Sequence, residues 1–193
     1  MRYSSMANKM TIALTKEQYE EIIKTMLQGG AGFKKNPRIA TALVLEANLG
    51  LRIEDILNLH LKDIVKDGSR YRLDIYEKKT NKKRTFTVPL EIFLYIENYC
   101  IKNNIGPAEN IFPIKERGIQ SYLRKVSDYL GYENIGTHSF RKYYATDIYY
   151  NNEHDIMLIQ KLLQHSSTAV TQRYINISEK KVEDAINGHI NLI

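Results

Sequence analysis

The sequence contains a single cysteine, Cys100, no tryptophan, and only 4 prolines among 193 residues. One thiol rules out an intramolecular disulfide and a cysteine-based zinc cluster, so neither can staple this fold. No signal-like apolar stretch follows Met1, and no apolar run is long enough to span a bilayer. The expected setting is therefore cytoplasmic, with no membrane partner. Internal repeats, low-complexity tracts, a phosphate-binding Walker loop and a carboxylate metal cluster are also missing, so no cofactor or metal is expected.

What is present is an ordinary globular balance, 43% hydrophobic and 26% charged residues. A chain of this length can bury roughly 70% of the surface it exposes when unfolded, enough for one core. Lys and Arg number 28 against 22 Asp and Glu, a formal charge of +6. That excess favours a polyanionic partner without distinguishing DNA from RNA or acidic lipid.

Residues 1–12 show little periodicity and read as a flexible lead-in. Thr15 and Gln18 match a capping box, and Tyr19, Ile22, Ile23 and Met26 recur at helical spacing until Gly29 and Gly30. Asn36 as cap and Pro37 at the first helical position open a second helix, apolar on most sides and hence central. A helical pattern resumes in RIEDILNLHL, with Ile53, Ile56, Leu57 and Leu59 inward. Between Lys62 and Leu90 the period becomes two: Tyr71, Leu73 and Ile75 alternate with polar residues, predicting a small antiparallel sheet. Its turn, EKKTNKK, has Asn81 where a left-handed residue is needed. From Pro89 on, LEIFLYIENYCIKN, GIQSYLRKVSDYLG, SFRKYYATDIYYN, HDIMLIQKLLQ, TAVTQRYI and SEKKVEDAINGHI all read as helices, with Cys100 a packing residue. The fold class is mainly α with one small antiparallel β-sheet.

Individually, the chemically capable residues are unremarkable. Arg52 reads as a surface arginine at a helix start, His138 and Arg141 as a solvated face, His165 as a helix end, and Tyr174 is one of 14 tyrosines. Their order changes that reading. GLRIEDILNLHLKDI, the basic hairpin KKTNKKRTFTVPL, THSFRKYYAT and LLQHSSTAVTQRYI follow one another as do the motif boxes of the tyrosine recombinases, or phage integrases, which the chain resembles from about Leu14 onward. The last box is the most specific, with Tyr174 nine positions beyond His165.

The resemblance implies the catalytic-domain fold of those DNA breaking and rejoining enzymes. It implies Arg52, Lys79, His138, Arg141 and His165 as catalytic residues, Tyr174 as nucleophile and Asp55 as a supporting acid. Lys79 precedes Thr80 as in many family hairpins, and Lys78 and Lys82 remain alternatives. These residue types suit the chemistry. Two permanently charged guanidiniums can grip a phosphate in a fork. A phenol with a pKa near 10 needs proton removal or a positive field, which His138 and its neighbours would supply. The leaving 5′ oxygen needs a proton, which Lys79 would donate.

The implied activity is site-specific DNA recombination through a 3′-phosphotyrosine, with integration, excision and inversion all open. Double-stranded DNA is the implied partner, with a homo-oligomer, a tetramer in the family, joined through a C-terminal helix over 178–190, and with accessory DNA-bending proteins. Family members usually carry a further DNA-clamping domain before the catalytic one. Residues 1–12 cannot supply it, so the expected organisation is a catalytic domain over 13–193, similar to single-domain invertases or a truncated integrase of bacterial or phage type. Two alternatives within DNA chemistry are relaxation of supercoils by a type IB topoisomerase-like reaction and a catalytically silent DNA-binding module. A basic scaffold binding only protein is a third.

Overall fold

The capping box expected at Thr15 forms: its hydroxyl accepts from the Gln18 N–H, and the Gln18 side chain accepts from the Thr15 N–H. It opens α1 (Lys16–Gln28), and the Asn36 side chain caps α2 (Pro37–Leu49) with Pro37 in the first turn. The computed structural model describes residues 11–175. The helix expected over 178–190 and all but the end of the lead-in lie outside the described residues. The chain divides into two compact units, Met1–Tyr144 and Ala145–Ile193.

In the first unit, α2 runs through the core, with Ile39, Ala40, Ala42, Leu43, Leu45, Ala47 and Leu49 buried. Burying a side chain such as Leu43 contributes about 1.5–3 kcal/mol relative to leaving it in water. After Gly50 comes α3, only Ile53–Ile56. The longer helix suggested by RIEDILNLHL does not form. Asn110 donates to the Leu57 carbonyl, the Ile111 N–H donates to the Leu59 carbonyl, and the Asp63 carboxylate accepts from the His60 N–H. The two bonds from Asn110 and Ile111 and the local bond to Asp63 take polar groups that a helix would have used, while Leu57 and Leu59 stay buried.

A short 3-10 turn, Leu61–Asp63, leads into a three-stranded antiparallel sheet in the order β1 (Ile64–Asp67), β2 (Arg70–Tyr76), β3 (Lys83–Val88). Leu73 of β2 pairs with Ile64 and with Phe86, and Tyr71 stacks on Phe93 with ring centroids 3.8 Å apart. Phe93 lies on α4 (Leu90–Lys102), which buries Ile96 and Cys100. The amphipathic α5 (Glu116–Leu130) buries Ile119, Leu123 and Val126. Then α6 (Thr137–Asn151) begins, with Phe140 in the same core.

The second unit contains α7 (Ile156–Leu163) and α8 (Thr168–Gln172). The Asp155 carboxylate caps α7, accepting from the N–H groups of Met157 and Leu158, and Ser167 caps α8. The helix read through TAVTQRYI stops at Gln172, so Tyr174 lies just beyond it. Its backbone N–H still reaches the Thr171 carbonyl at 2.9 Å.

Candidate active site

Gly50, which ends α2, is in the left-handed region at φ 57°, and a Cβ there would lie 2.4 Å from the Tyr144 ring. Only glycine lets the chain turn here so close to an aromatic ring. The turn exposes the last carbonyls of α2, the negative end of its dipole, to two buried arginines. Arg84 reaches the Leu49 and Gly50 carbonyls at 3.5 and 3.4 Å, and the fully buried Arg141 donates to the same Gly50 carbonyl. Two residues on, Arg52 begins α3 in extended conformation, its side chain 17% exposed.

Glu77 follows β2 and is fully buried. One carboxylate oxygen accepts from Arg84 at 2.9 Å; the other accepts from Arg52 at 2.5 Å and from the Thr80 hydroxyl at 2.9 Å. Burial alone would raise its pKa, but the bonds from Arg84 and Thr80 and the charge of Arg52 outweigh it and hold the carboxyl below its ordinary value. Its backbone closes the basic turn, donating to the Lys82 carbonyl at 3.0 Å and accepting from the Asn81 N–H at 2.8 Å. Asn81 has the expected positive φ of 51°. Asp55 holds the start of the turn, accepting from the Lys78 N–H at 2.9 Å, and its second oxygen has no hydrogen-bond partner among the described residues. Burial raises the Asp55 pKa, helped by the charge of Glu77 and opposed by the Lys78 N–H and the arginines.

His138 lies in the first turn of α6, where free N–H groups favour anions. The residue is exposed, yet desolvation by the surrounding protein lowers its pKa from 6.5, and the charges of Arg141, Lys79, Lys142 and Arg52 lower it further. Among the three hairpin lysines, it is the charge of Lys79 that acts on His138. Lys78, Lys79 and Lys82 are all exposed. The first unit therefore brings together Arg52, Asp55, Lys79, His138 and Arg141.

The second unit brings together His165 and Tyr174. α7 ends at Gln164 in the left-handed region, and the His165 N–H returns to the Gln160 carbonyl at 3.0 Å. His165 Nδ1 lies 3.1 Å from the hydroxyl of buried Thr171, and its ring is 4.6 Å from the half-buried Tyr174 ring, centroid to centroid. The Tyr174 carbonyl accepts from the Thr146 hydroxyl at 3.3 Å. The nine-residue spacing seen in the sequence thus sets these two side chains against each other.

With this geometry in view, the sequence pattern of the Phage integrase family covers residues 13–181. The chain belongs to the phage integrase family. It is 35% identical over 153 residues to the probable integrase/recombinase YoeC of Bacillus subtilis, covering 75% of this chain and 81% of that protein. Tyrosine recombinase XerC of Caldanaerobacter subterraneus is 27% identical over 195 residues, covering 91% of this chain and 50% of its own length. In structure, the integrase-family chain matches the XerH site-specific recombinase bound to palindromic difH substrate in a post-cleavage complex, with TM-score 0.73 and 18% identity over 94% of this chain and 53% of that one. The mainly α fold with a small sheet is thus that of the tyrosine recombinase catalytic domains. The chain spans about half the length of XerC and XerH. These relatives are recombinases, so the topoisomerase and silent-module alternatives are not favoured.

Glu77, Arg84 and Glu46 were not foreseen. Arg84, Phe86 and Val88 share one face of β3 at strand spacing, so reading KRTFTV by twos puts the arginine inside with Val88. Glu46 stands in the apolar helix ATALVLEAN, fully buried, with neither carboxyl oxygen hydrogen-bonded among the described residues. Burial raises its pKa well above the ordinary value, opposed by the charge of Arg141.

Proposed function

We propose that this chain performs site-specific recombination of double-stranded DNA, with Tyr174 as the attacking group. The observation that carries the reading is the hydrogen-bonded group in which Glu77 accepts from Arg52 and Arg84 and the Gly50 carbonyl accepts from Arg84 and Arg141, three guanidiniums joined through one carboxylate and one carbonyl and suited to a phosphodiester. Arg52 and Arg141 neutralise the non-bridging oxygens, whose charge grows in the transition state. The Tyr174 oxygen attacks phosphorus while His138 takes its proton. The bond from phosphorus to the 5′ oxygen breaks, and Lys79 gives that oxygen a proton. The products are a 3′-phosphotyrosine and a free 5′-hydroxyl. The 5′-hydroxyl of a partner strand then attacks the phosphotyrosine, releasing Tyr174, and no external energy source is needed because the phosphodiester bond energy is kept. His165 hydrogen-bonds a non-bridging oxygen, and Asp55 supports the hairpin. The chain acts on cytoplasmic DNA as a homo-oligomer, a tetramer exchanging the segment over 178–190, with accessory DNA-bending proteins.

Covalent trapping tests this. A nicked suicide duplex carrying the DNA ends that flank the gene should give a detergent-resistant protein–DNA adduct. Tyr174→Phe should abolish the adduct with DNA affinity in a gel shift within about threefold, since the lost hydroxyl serves attack rather than grip. An adduct that survives in the Phe variant, or none with the unaltered chain, refutes the assignment.

A further inference from the structure

Arg52 faces a difficulty that Glu77 both creates and removes. A guanidinium must be held still to grip a phosphate, and a carboxylate is the strongest holder available. Yet an isolated Arg52–Glu77 pair would be neutral and would offer a phosphate little. Arg84 resolves this: it takes the other oxygen of the same carboxylate at 2.9 Å while 3% exposed. One negative charge is thus shared by two guanidiniums, and the group keeps a net positive charge. Arg84 also reaches the Gly50 carbonyl at 3.4 Å, which accepts from Arg141 as well. A continuous hydrogen-bonded path therefore runs from Arg52 through Glu77, Arg84 and the Gly50 carbonyl to Arg141.

The same residue governs the lysine turn. The Glu77 oxygen that accepts from Arg52 also accepts from Thr80 at 2.9 Å, and its N–H and C=O close the turn onto Lys82 and Asn81. Lys79 lies between these fixed points. We propose that Glu77 is a positioning residue that fixes the Arg52 guanidinium and the Lys79 turn in one relation, with Arg84 preserving the positive charge of the site. The proposal rests on the recombinase reading of Arg52 and Lys79.

Thr80 is exposed, so its hydroxyl can be removed with little risk to folding. The experiment measures single-turnover adduct formation at saturating protein on the nicked duplex above. It uses two forms of that duplex, with oxygen or with sulfur as the leaving atom at the scissile phosphate. A thiolate leaves without a proton, so sulfur DNA bypasses the lysine. Thr80→Val should slow cleavage of oxygen DNA by about 3–10-fold and leave sulfur DNA within about twofold of the unaltered chain, because only the lysine arm is loosened. Glu77→Gln should slow oxygen DNA by about 100-fold with affinity within about threefold, and sulfur should restore only part of that, since Arg52 is released too.

Three results overturn the proposal: Glu77→Gln cleaving within about twofold of the unaltered chain, Thr80→Val slowed equally on both DNAs, or Thr80→Val slowed on neither. If Glu77→Gln fails to fold, seen as a lost thermal transition, the Thr80→Val pair of rates decides alone. An unaltered chain that forms no adduct refutes the recombinase reading and this proposal with it. An active chain with indifferent variants refutes this proposal only.

Discussion

Gly50→Ala is the substitution from which the geometry asks most. Two costs add. At φ 57° an alanine is in the left-handed region, a penalty of about 1–2 kcal/mol. The new Cβ would also lie 2.4 Å from both Cδ1 and Cε1 of Tyr144, adjacent atoms of a rigid ring that cannot slip aside as a chain end would. Overpacking of that kind costs about 1–3 kcal/mol more. Gly131 separates the two terms, because it caps α5 at φ 73° with nothing within 4 Å of an added Cβ. Gly131→Ala should show the backbone cost alone, so Gly50→Ala should lie about 1–3 kcal/mol below it in urea unfolding, or about 2–12 °C lower in melting temperature. Adding Tyr144→Leu to Gly50→Ala should recover the difference as a favourable coupling in a double-mutant cycle. Equal stability of the Gly50 and Gly131 variants would refute the argument that the Tyr144 ring enforces glycine here.

Three further outcomes are expected. Folding raises the Glu46 pKa, so its contribution to stability is complete below about 4.5 and is lost as pH rises above that; Glu46→Gln should match the unaltered chain near pH 4.5 and exceed it at pH 8 in urea unfolding. A Gln variant no more stable at pH 8 contradicts that sign. His138 is shifted the other way, its neutral form favoured by folding, so it should still accept a proton below pH 6.5, and the acid limb of the cleavage-rate profile should fall below that value. A limb above pH 6.5 would remove His138 as the base. Lys79→Ala should cleave DNA with a sulfur leaving atom at a rate near that of the unaltered chain while failing on oxygen DNA; without that recovery the proton donor is Lys78, Lys82 or His138.

Which features were legible in the sequence follows from the range of the interactions that fix them. The caps at Thr15 and Asn36, the turn at Asn81 and the proximity of His165 to Tyr174 are set by residues a few positions apart, and pattern alone finds them. The short α3 is different. Its end is decided by Asn110, more than fifty residues away, which takes the Leu57 carbonyl. No local propensity in RIEDILNLHL records that partner. Glu77 was hidden for a related reason: in EKKTNKK it looks like one more solvated charge, and only the pairing of β2 with β3, which sets Ile75 opposite Arg84, shows that arginine and carboxylate meet inside. The motif boxes marked the groups expected to touch phosphate, whereas Glu77 lies one residue before the hairpin box and Arg84 inside it, and only their bonds to each other and to Arg52 single them out.

The charges of the first unit then account for one another. Three carboxyls lie buried near Arg52, Arg84 and Arg141, and three full negative charges would cancel the arginines and leave nothing for a phosphate. Burial weakens that cancellation unequally. Glu46, with no hydrogen bond to either oxygen among the described residues, is pushed furthest toward its neutral form. Asp55 keeps one backbone N–H and is pushed less strongly in the same direction. Glu77, bonded to Arg84, Thr80 and Arg52, is shifted the other way, toward its charged form. Hydrogen bonds from both arginines thus favour the charged form of Glu77, while burial opposes ionisation of Glu46 and Asp55. The pKa of His138 is lowered first by desolvation and then by the positive charges of Arg141, Lys79, Lys142 and Arg52, both of which favour its neutral form.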